Sequence, residues 1–328
     1  MNLFTSLRDA PAPGVAVEIA AGRVSGATLD WRGGQPVVAA HAVELLPEGA
    51  LVPALTAANT HDRATVTTAI NRVMERLGRP RRIGLIVPDV VAKVSLLRFE
   101  KIPARAPDLD QLVRWQVRKA APFPIEDAQV SYVNGQRAPD GQELIVSLAR
   151  RSVIEEYEQL CAEAGAYAGL VDLATFNVIN AVLAARGAPG APAAGQEDWL
   201  LVNVAADSAS IALLRGPHLI FFRNRAADTD GTLADLVHQT AMYYEDRLQG
   251  AGFGRVLLAG GAGVRVAADL DQVRRSLEER LSTPVDAVDP RAAAKIADRI
   301  APSPALLDML TPLVGLLLRD RAGQMVPA

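Results

Sequence analysis

One pattern occurs twice along this chain, and it restricts the fold more than any single motif does. Residues 15–19, 23–31 and 37–45 are three β-rich runs separated by glycine-containing turns. A helix is expected next, because Val66, Ile70, Val73 and Leu77 recur at helical spacing and Gly78 supplies a stop. Residues 83–87 then read as a short, continuously apolar strand buried on both faces, and 90–99 as another. The second half begins again with strands at 199–204, 209–214 and 219–222. A helix carrying Leu233, Leu236, Val237, Tyr244 and Leu248 follows, then a buried strand at 256–259 ending in Gly260-Gly261. One more helix carries Val266, Leu270, Val273, Leu277 and Leu281. Architecture that repeats without residues repeating predicts two related α/β lobes.

Between the halves, residues 186–198 form a Gly/Ala/Pro run without periodicity, which reads as a linker. The first half also holds extra elements. Asp108 and Gln111 stand in capping-box spacing ahead of a helix to about Lys119, and strands at 129–136 and 143–149 flank a Pro139-Asp140-Gly141 turn. Ser152 and Glu155 repeat the capping spacing before a helix whose apolar stripe is Val153, Tyr157, Leu160, Cys161 and Ala164. Cys161 on that stripe is a buried structural thiol. Asp172 is placed to cap a helix with Phe176, Ile179 and Leu183 inward. The expected division is a first lobe of residues 1–102 and 166–185 joined by the C-terminal helix, an inserted α/β unit of 103–165, and a second lobe of 199–300.

Composition narrows the function classes. The 328 residues suffice for two buried cores, and a formal net charge of -3 offers no concentrated basic surface for nucleic acid. Cys161 is the only cysteine, and His41, His61, His218 and His238 lie far apart, so neither a disulfide framework nor a metal centre is expected. Leu3, Phe4 and Leu7 read as a frayed terminus rather than a leader. The apolar stretch 306–318 is broken by Asp308 and Pro312 and is too short to span a bilayer. The chain reads as cytoplasmic.

Two segments carry a resemblance. Residues 112–132, LVRWQVRKAAPFPIEDAQVSY, give a helix, a Pro-Phe-Pro turn and a strand, and residues 313–319 close the chain with LVGLLLR. Together with the element order from about Gly14 to Arg319, they resemble the PilM family of type IV pilus assembly proteins, within the FtsA-type actin-like ATPases. The resemblance implies an actin-like α/β fold: duplicated ribonuclease H-like lobes with a small inserted subdomain in the first. The cytoplasmic part of the type II secretion protein GspL shares this architecture, but would normally continue into a transmembrane helix and a periplasmic domain.

In that superfamily two hairpins, one per lobe, hold the phosphates of ATP. The first hairpin here reads Glu18-Ile19-Ala20-Ala21-Gly22. Glu18 stands where an Asp would orient water on magnesium and is one methylene longer. Ala20 stands where a glycine would admit a phosphate, with Gly22 two residues on. The second reads Asn203-Val204-Ala205-Ala206-Asp207-Ser208, with an amide for the carboxylate and no glycine. Where such a turn needs positive φ, an alanine costs about 1–2 kcal/mol. Gly260-Gly261, which would pack on the adenosine, is intact; Asp9 and Asp207 are nearby carboxylates outside the family pattern. ATP with magnesium is therefore expected to bind weakly or not at all, and no catalytic set is found. An active ATPase or sugar kinase of the same superfamily is the competing reading.

The resemblance also implies a partner, the cytoplasmic N-terminal peptide of a PilN-like membrane protein, held between the first lobe's core and the inserted unit. Other inner-membrane pilus platform and motor proteins are implied as well, which would keep the protein peripheral to that membrane. The candidate contacts are Arg114, Trp115, Arg118, Phe123 and Pro124, with Arg98, Lys101 and Arg105 as a basic rim. The competing reading puts the rings at the edge of the unit's own core and the charges on a solvated face.

Overall fold

The computed structural model describes residues 13–138, 140–186, 197–206, 208–226, 232–260 and 267–319. The chain opens with a meander of β1 (Val15–Ala20), β2 (Arg23–Arg32) and β3 (Gln35–Leu45), each antiparallel to the one before. Helix α1 (Arg63–Arg76) starts where the Asp62 carboxylate accepts from the Thr65 amide at 3.1 Å, and it buries Val66, Ile70 and Val73. Strand β4 (Arg82–Val87) runs parallel to β1, and a 3-10 turn, Asp89–Val91, leads into β5 (Ala92–Phe99). Next come α2 (Ala106–Val117), β6 (Ala128–Ala138), β7 (Gly141–Arg150), α3 (Arg151–Glu163), β8 (Tyr167–Leu173) and α4 (Ala174–Arg186).

The second half holds the meander β9 (Asp198–Val204), β10 (Ser208–Arg215) and β11 (His218–Ala226), then α5 (Leu233–Leu248), β12 (Arg255–Gly260), α6 (Ala267–Leu281) and β13 (Val285–Ala287). A two-residue strand β14 (Lys295–Ile296) and helix α7 (Pro304–Leu317) finish the described chain. The sheet orders are β14-β3-β2-β1-β4-β8 and β11-β10-β9-β12-β13. In each half an antiparallel meander is followed by strands parallel to its first strand, so the duplication expected from the pattern is present. The central strands β1 and β9 are flanked on both sides, which is why VAVEIA and DWLLVNV carry so few polar side chains.

A third sheet, β5-β7-β6, carries α2 on one face, where Val113 and Val117 meet Val130, Leu144, Val146 and Leu148. This grouping differs from the expected 103–165 unit at both ends. Strand β5 pairs with β7 and belongs to the third sheet. Helix α3 turns its stripe, Val153, Tyr157, Leu160 and Cys161, into the core of the first lobe. The chain also returns to the first lobe before residue 300, since β14 pairs with β3.

Local starts differ too. Helix α2 begins at Ala106 with no side-chain cap, because Pro107 presets the first turn and lacks the amide that a cap would satisfy. Helix α3 continues directly from β7 without a cap, so neither Asp108 nor Ser152 has that role. Asp172 accepts from the adjacent Leu173 amide at 2.8 Å, and α4 starts after it. A full capping box does form at Thr232 and Asp235.

Helix α7 closes the first lobe. Leu310, Leu313, Val314 and Leu316 pack with Ala16, Ala27 and Ile86. The approach is close enough to demand glycine: a Cβ on Gly315 would lie 1.7 Å from the Asn177 carbonyl oxygen of α4, and one on Gly84 would lie 2.3 Å from a Leu316 methyl. Gly315→Ala should therefore force α7 away from α4, costing about 1–3 kcal/mol or more. A melting temperature several degrees below wild type is the expected result; an unchanged one would mean that the crossing relaxes without cost.

Candidate functional site

Residues at the tips of the β1–β2 and β9–β10 hairpins line one cavity. Their side chains, however, are already engaged. Glu18 is buried, and its Oε2 accepts from Arg23 Nη2 at 2.9 Å and from Ser25 Oγ at 3.1 Å. Ser25 is its cross-strand neighbour in β2, so the hairpin satisfies its own carboxylate. Asn203 Nδ2 donates to Thr175 Oγ1 at 2.8 Å, and the Ala205 amide donates to the Ser208 carbonyl at 2.8 Å. Gly260 has φ +94, and a Cβ there would lie 1.9 Å from the Val204 carbonyl oxygen. Its glycine identity thus follows from packing against β9. Its amide donates to Asp308 Oδ1 on α7 at 2.6 Å.

None of Ala20, Ala21, Gly22, Ala205 and Ala206 has a positive φ. The alanines are therefore unstrained, and the penalty considered from sequence does not arise. Gly261, Asp207 and Asp9 lie outside the described residues. Among those described, Glu18, Arg23, Asp89, Asn203, Gly260 and Asp308 line a cavity of about 60 Å³. This donor set does not fit a magnesium-bound triphosphate. The carboxylate that would order metal water is neutralised by Arg23, its counterpart is an amide, and the Gly260 amide is taken.

At the centre of this joint is Asp89, which sequence reading missed. The carboxylate is only 6% exposed. Its Oδ1 accepts from the Thr175 amide at 3.0 Å; its Oδ2 accepts from Thr175 Oγ1 and, at 2.6 Å, from Ser210 Oγ. Asn224 Nδ2 in turn donates to Ser210 Oγ at 2.9 Å. Burial pushes the Asp89 carboxyl above its ordinary range, opposed by the Ser210 and Thr175 bonds. The one signal in the sequence is an acid two residues beyond a fully apolar strand.

A larger opening lies elsewhere, between the first lobe and the third sheet. Odd-numbered residues of β6 and β7, among them Ser131, Val133, Ile145 and Ser147, face away from α2 and line it opposite β8 and α4. It comprises two connected hollows of about 470 and 430 Å³ that share Ser131, Ser147, Leu170, Val171 and Asp172. Both β8 and β6 end their sheets, so among the described residues each is paired on one side only. Val133 and Tyr167 are 61% and 71% exposed there, large apolar groups left in water.

The partner residues expected from sequence do not line this groove. Arg114, Trp115 and Arg118 are on α2, across the third sheet from it. Arg114 pairs with Asp110 at 2.8 Å, Trp115 is 68% exposed and Arg118 is exposed. Phe123 is half-buried against the third sheet's own core, and Pro124 is exposed. Of the basic rim, Arg98 pairs with Asp140 and Arg105 approaches Asp108 at 3.9 Å.

The family model for type IV pilus assembly protein PilM matches residues 16–246. No curated protein matches in sequence. Among solved structures, a chain of the PilM–PilN type IV pilus biogenesis complex is 18% identical with a TM-score of 0.76, covering 95% of this chain and 99% of that one. A Bacteroides thetaiotaomicron protein with an actin-like ATPase fold is 10% identical (TM-score 0.49, 88% and 94% covered). The cytoplasmic domain of EpsL, an inner-membrane component of the Vibrio cholerae type II secretion system, is 12% identical (TM-score 0.46, 95% of each covered). The chain shares its fold, two α/β lobes with a third small sheet, with that chain of the PilM–PilN complex. Among the described residues no helix is long and apolar enough to cross a membrane.

Asp172 sits at the junction of the two hollows. Burial raises its carboxyl to about 6, against the lowering effects of the Leu173 amide and the Arg319 guanidinium. A raised folded-state value means that the fold disfavours the charged form, so this cost is absent below the unfolded value, grows as pH rises from there to about 6 and is constant above. Asp172→Asn, which keeps the acceptor for Leu173, should match wild type near pH 4 and exceed it by on the order of 1–3 kcal/mol at pH 7.5. Thermal unfolding at the two pH values reads the difference, and a gap that does not change with pH would refute it.

Proposed function

The chain belongs to the PilM family of type IV pilus assembly proteins, and from that premise we propose that it is a scaffold holding the N-terminal peptide of a PilN-like membrane protein in the groove between β8 and the third sheet. The carrying observation is the groove itself: hollows of about 470 and 430 Å³, bordered by two singly paired strands, with Val133 and Tyr167 exposed. An extended peptide gains main-chain bonds from a free strand edge, while alternate side chains find apolar pockets. The likeness to a chain of the PilM–PilN complex supports this choice of partner. The membrane connection then runs through the partner.

Nucleotide binding is weak or lost in this reading. Support comes from the Glu18–Arg23 pair at 2.9 Å, the amide of Asn203 and the Asp308 carboxylate on the Gly260 amide at 2.6 Å. An acid already neutralised by an arginine has little left to offer a magnesium shell.

Two measurements test the proposal. A fluorescein-labelled peptide with the N-terminal sequence of the PilN-type protein of the same pilus system should bind with saturable anisotropy. Val133→Asp and Tyr167→Ala, both at exposed positions and so expected to fold, should weaken binding at least about tenfold, or about 1.4 kcal/mol. Folded variants with wild-type affinity would remove the groove from consideration. Calorimetry with magnesium and ATP should give no heat of binding at micromolar concentrations, and a micromolar dissociation constant would overturn the nucleotide part.

A further inference from the structure

Three bodies rather than two surround the groove. Its base is α4, through Phe176, Ile179 and Leu183, and its sides include β8 and the inner face of the third sheet. The remaining wall belongs to the second lobe: Leu214 at the end of β10, Pro217 in the turn and Leu219 on β11. The contact is built from side chains on all three bodies. Phe176 of α4 packs on Phe222 of β11 with ring centroids 5.4 Å apart, while Leu96 and Ile145 of the third sheet pack into the cluster holding Leu214 and Leu219.

That wall is linked to the buried carboxylate of the interlobe joint through β10. Ser210, on β10 four residues before Leu214, donates to Asp89 at 2.6 Å and accepts from Asn224 of β11 at 2.9 Å. Thr175, directly before Phe176 on α4, is held by the same carboxylate. Asp89 thus bonds both the strand that ends in the wall and the helix that forms the base.

We infer that the β10–β11 turn of the second lobe is a contact surface for the extended peptide, taking an apolar side chain against Pro217, which the buried Leu214 and Leu219 back, and that the Asp89–Ser210 tie keeps this surface in place so that a bound peptide bridges the two lobes. The inference rests on the groove being the peptide site. The chemistry of the wall sets the preference: an aliphatic or proline side chain fits, whereas a charged one loses its hydration with no partner among those three residues.

The test uses the full chain and the same labelled N-terminal peptide, read by anisotropy and by hydrogen–deuterium exchange. Saturating peptide should slow exchange in residues 214–219 as well as in β8. Pro217→Arg, at a half-exposed turn position, should weaken binding about tenfold with melting temperature and circular dichroism unchanged. Ser210→Ala should bind roughly three- to tenfold more weakly, keep the protection of β8 and lose that of residues 214–219. Protection confined to β8 and the third sheet, with wild-type affinity in Pro217→Arg, would overturn this inference and leave the groove assignment standing. A peptide that fails to bind the wild-type protein would overturn both.

Discussion

The buried carboxylate of Asp89 is the interaction on which the relation between the lobes depends. Removing a carboxylate from water is costly unless donors replace the lost hydration. Here the donors come from separate parts of the chain: Thr175 of α4 gives an amide and a hydroxyl, and Ser210 of β10 gives a hydroxyl. Asn203 and Asn224, on β9 and β11, complete the arrangement by donating to those hydroxyls. No element can leave without taking a donor from a buried acceptor. The joint is therefore specific in geometry, because the second lobe must bring Ser210 to Asp89 and Asn203 to Thr175 in the same placement.

The same logic applies to the rest of the cleft. Glu18 closes on Arg23 within its own hairpin, and Asp308 reaches from α7 to the amide of Gly260 in the other lobe. The Glu18 carboxylate and the Gly260 amide thus each have an internal partner. In sites that bind phosphate through backbone nests, open amides and glycines await the ligand. In this chain the alanines at 20 and 205 have no positive φ, so neither position calls for a glycine on that ground.

Much of the fold was legible because its strongest signals are local. The apolar runs of β1, β4, β9 and β12 are buried on both faces, and their order alone revealed the duplication. What escaped depended on distant partners. The pattern of β5 suits either sheet, and only pairing with β7 assigns it. The stripe of α3 was readable, but not which core would receive it. Capping spacings at Asp108 and Ser152 lost to Pro107 and to direct continuation from β7. In the cleft, Glu18, Asn203 and Gly260 were found through family resemblance. Asp89, Thr175 and Ser210 form a network with no sequence spacing, drawn from elements up to 121 residues apart.

The groove was hidden for another physical reason. It is formed by one face of a sheet and one edge of another, so no contiguous segment announces it. The Trp115 and Phe123 region drew attention because its residue types are those of binding hot spots. Placed in three dimensions, Phe123 serves the core beneath α2, while the groove opens on the opposite face of the same sheet. Alternation along β6 separates the two: Val130 points to α2 and Val133 to the groove. Helix α4 then connects groove to joint, since Thr175 at its start belongs to the Asp89 network and Phe176, Ile179 and Leu183 form the groove's base. A helix is stiff over this length, so a shift at its polar end moves the apolar face that meets the groove. The physical link between the two sites is thus one helix and one strand, both anchored on a single carboxylate.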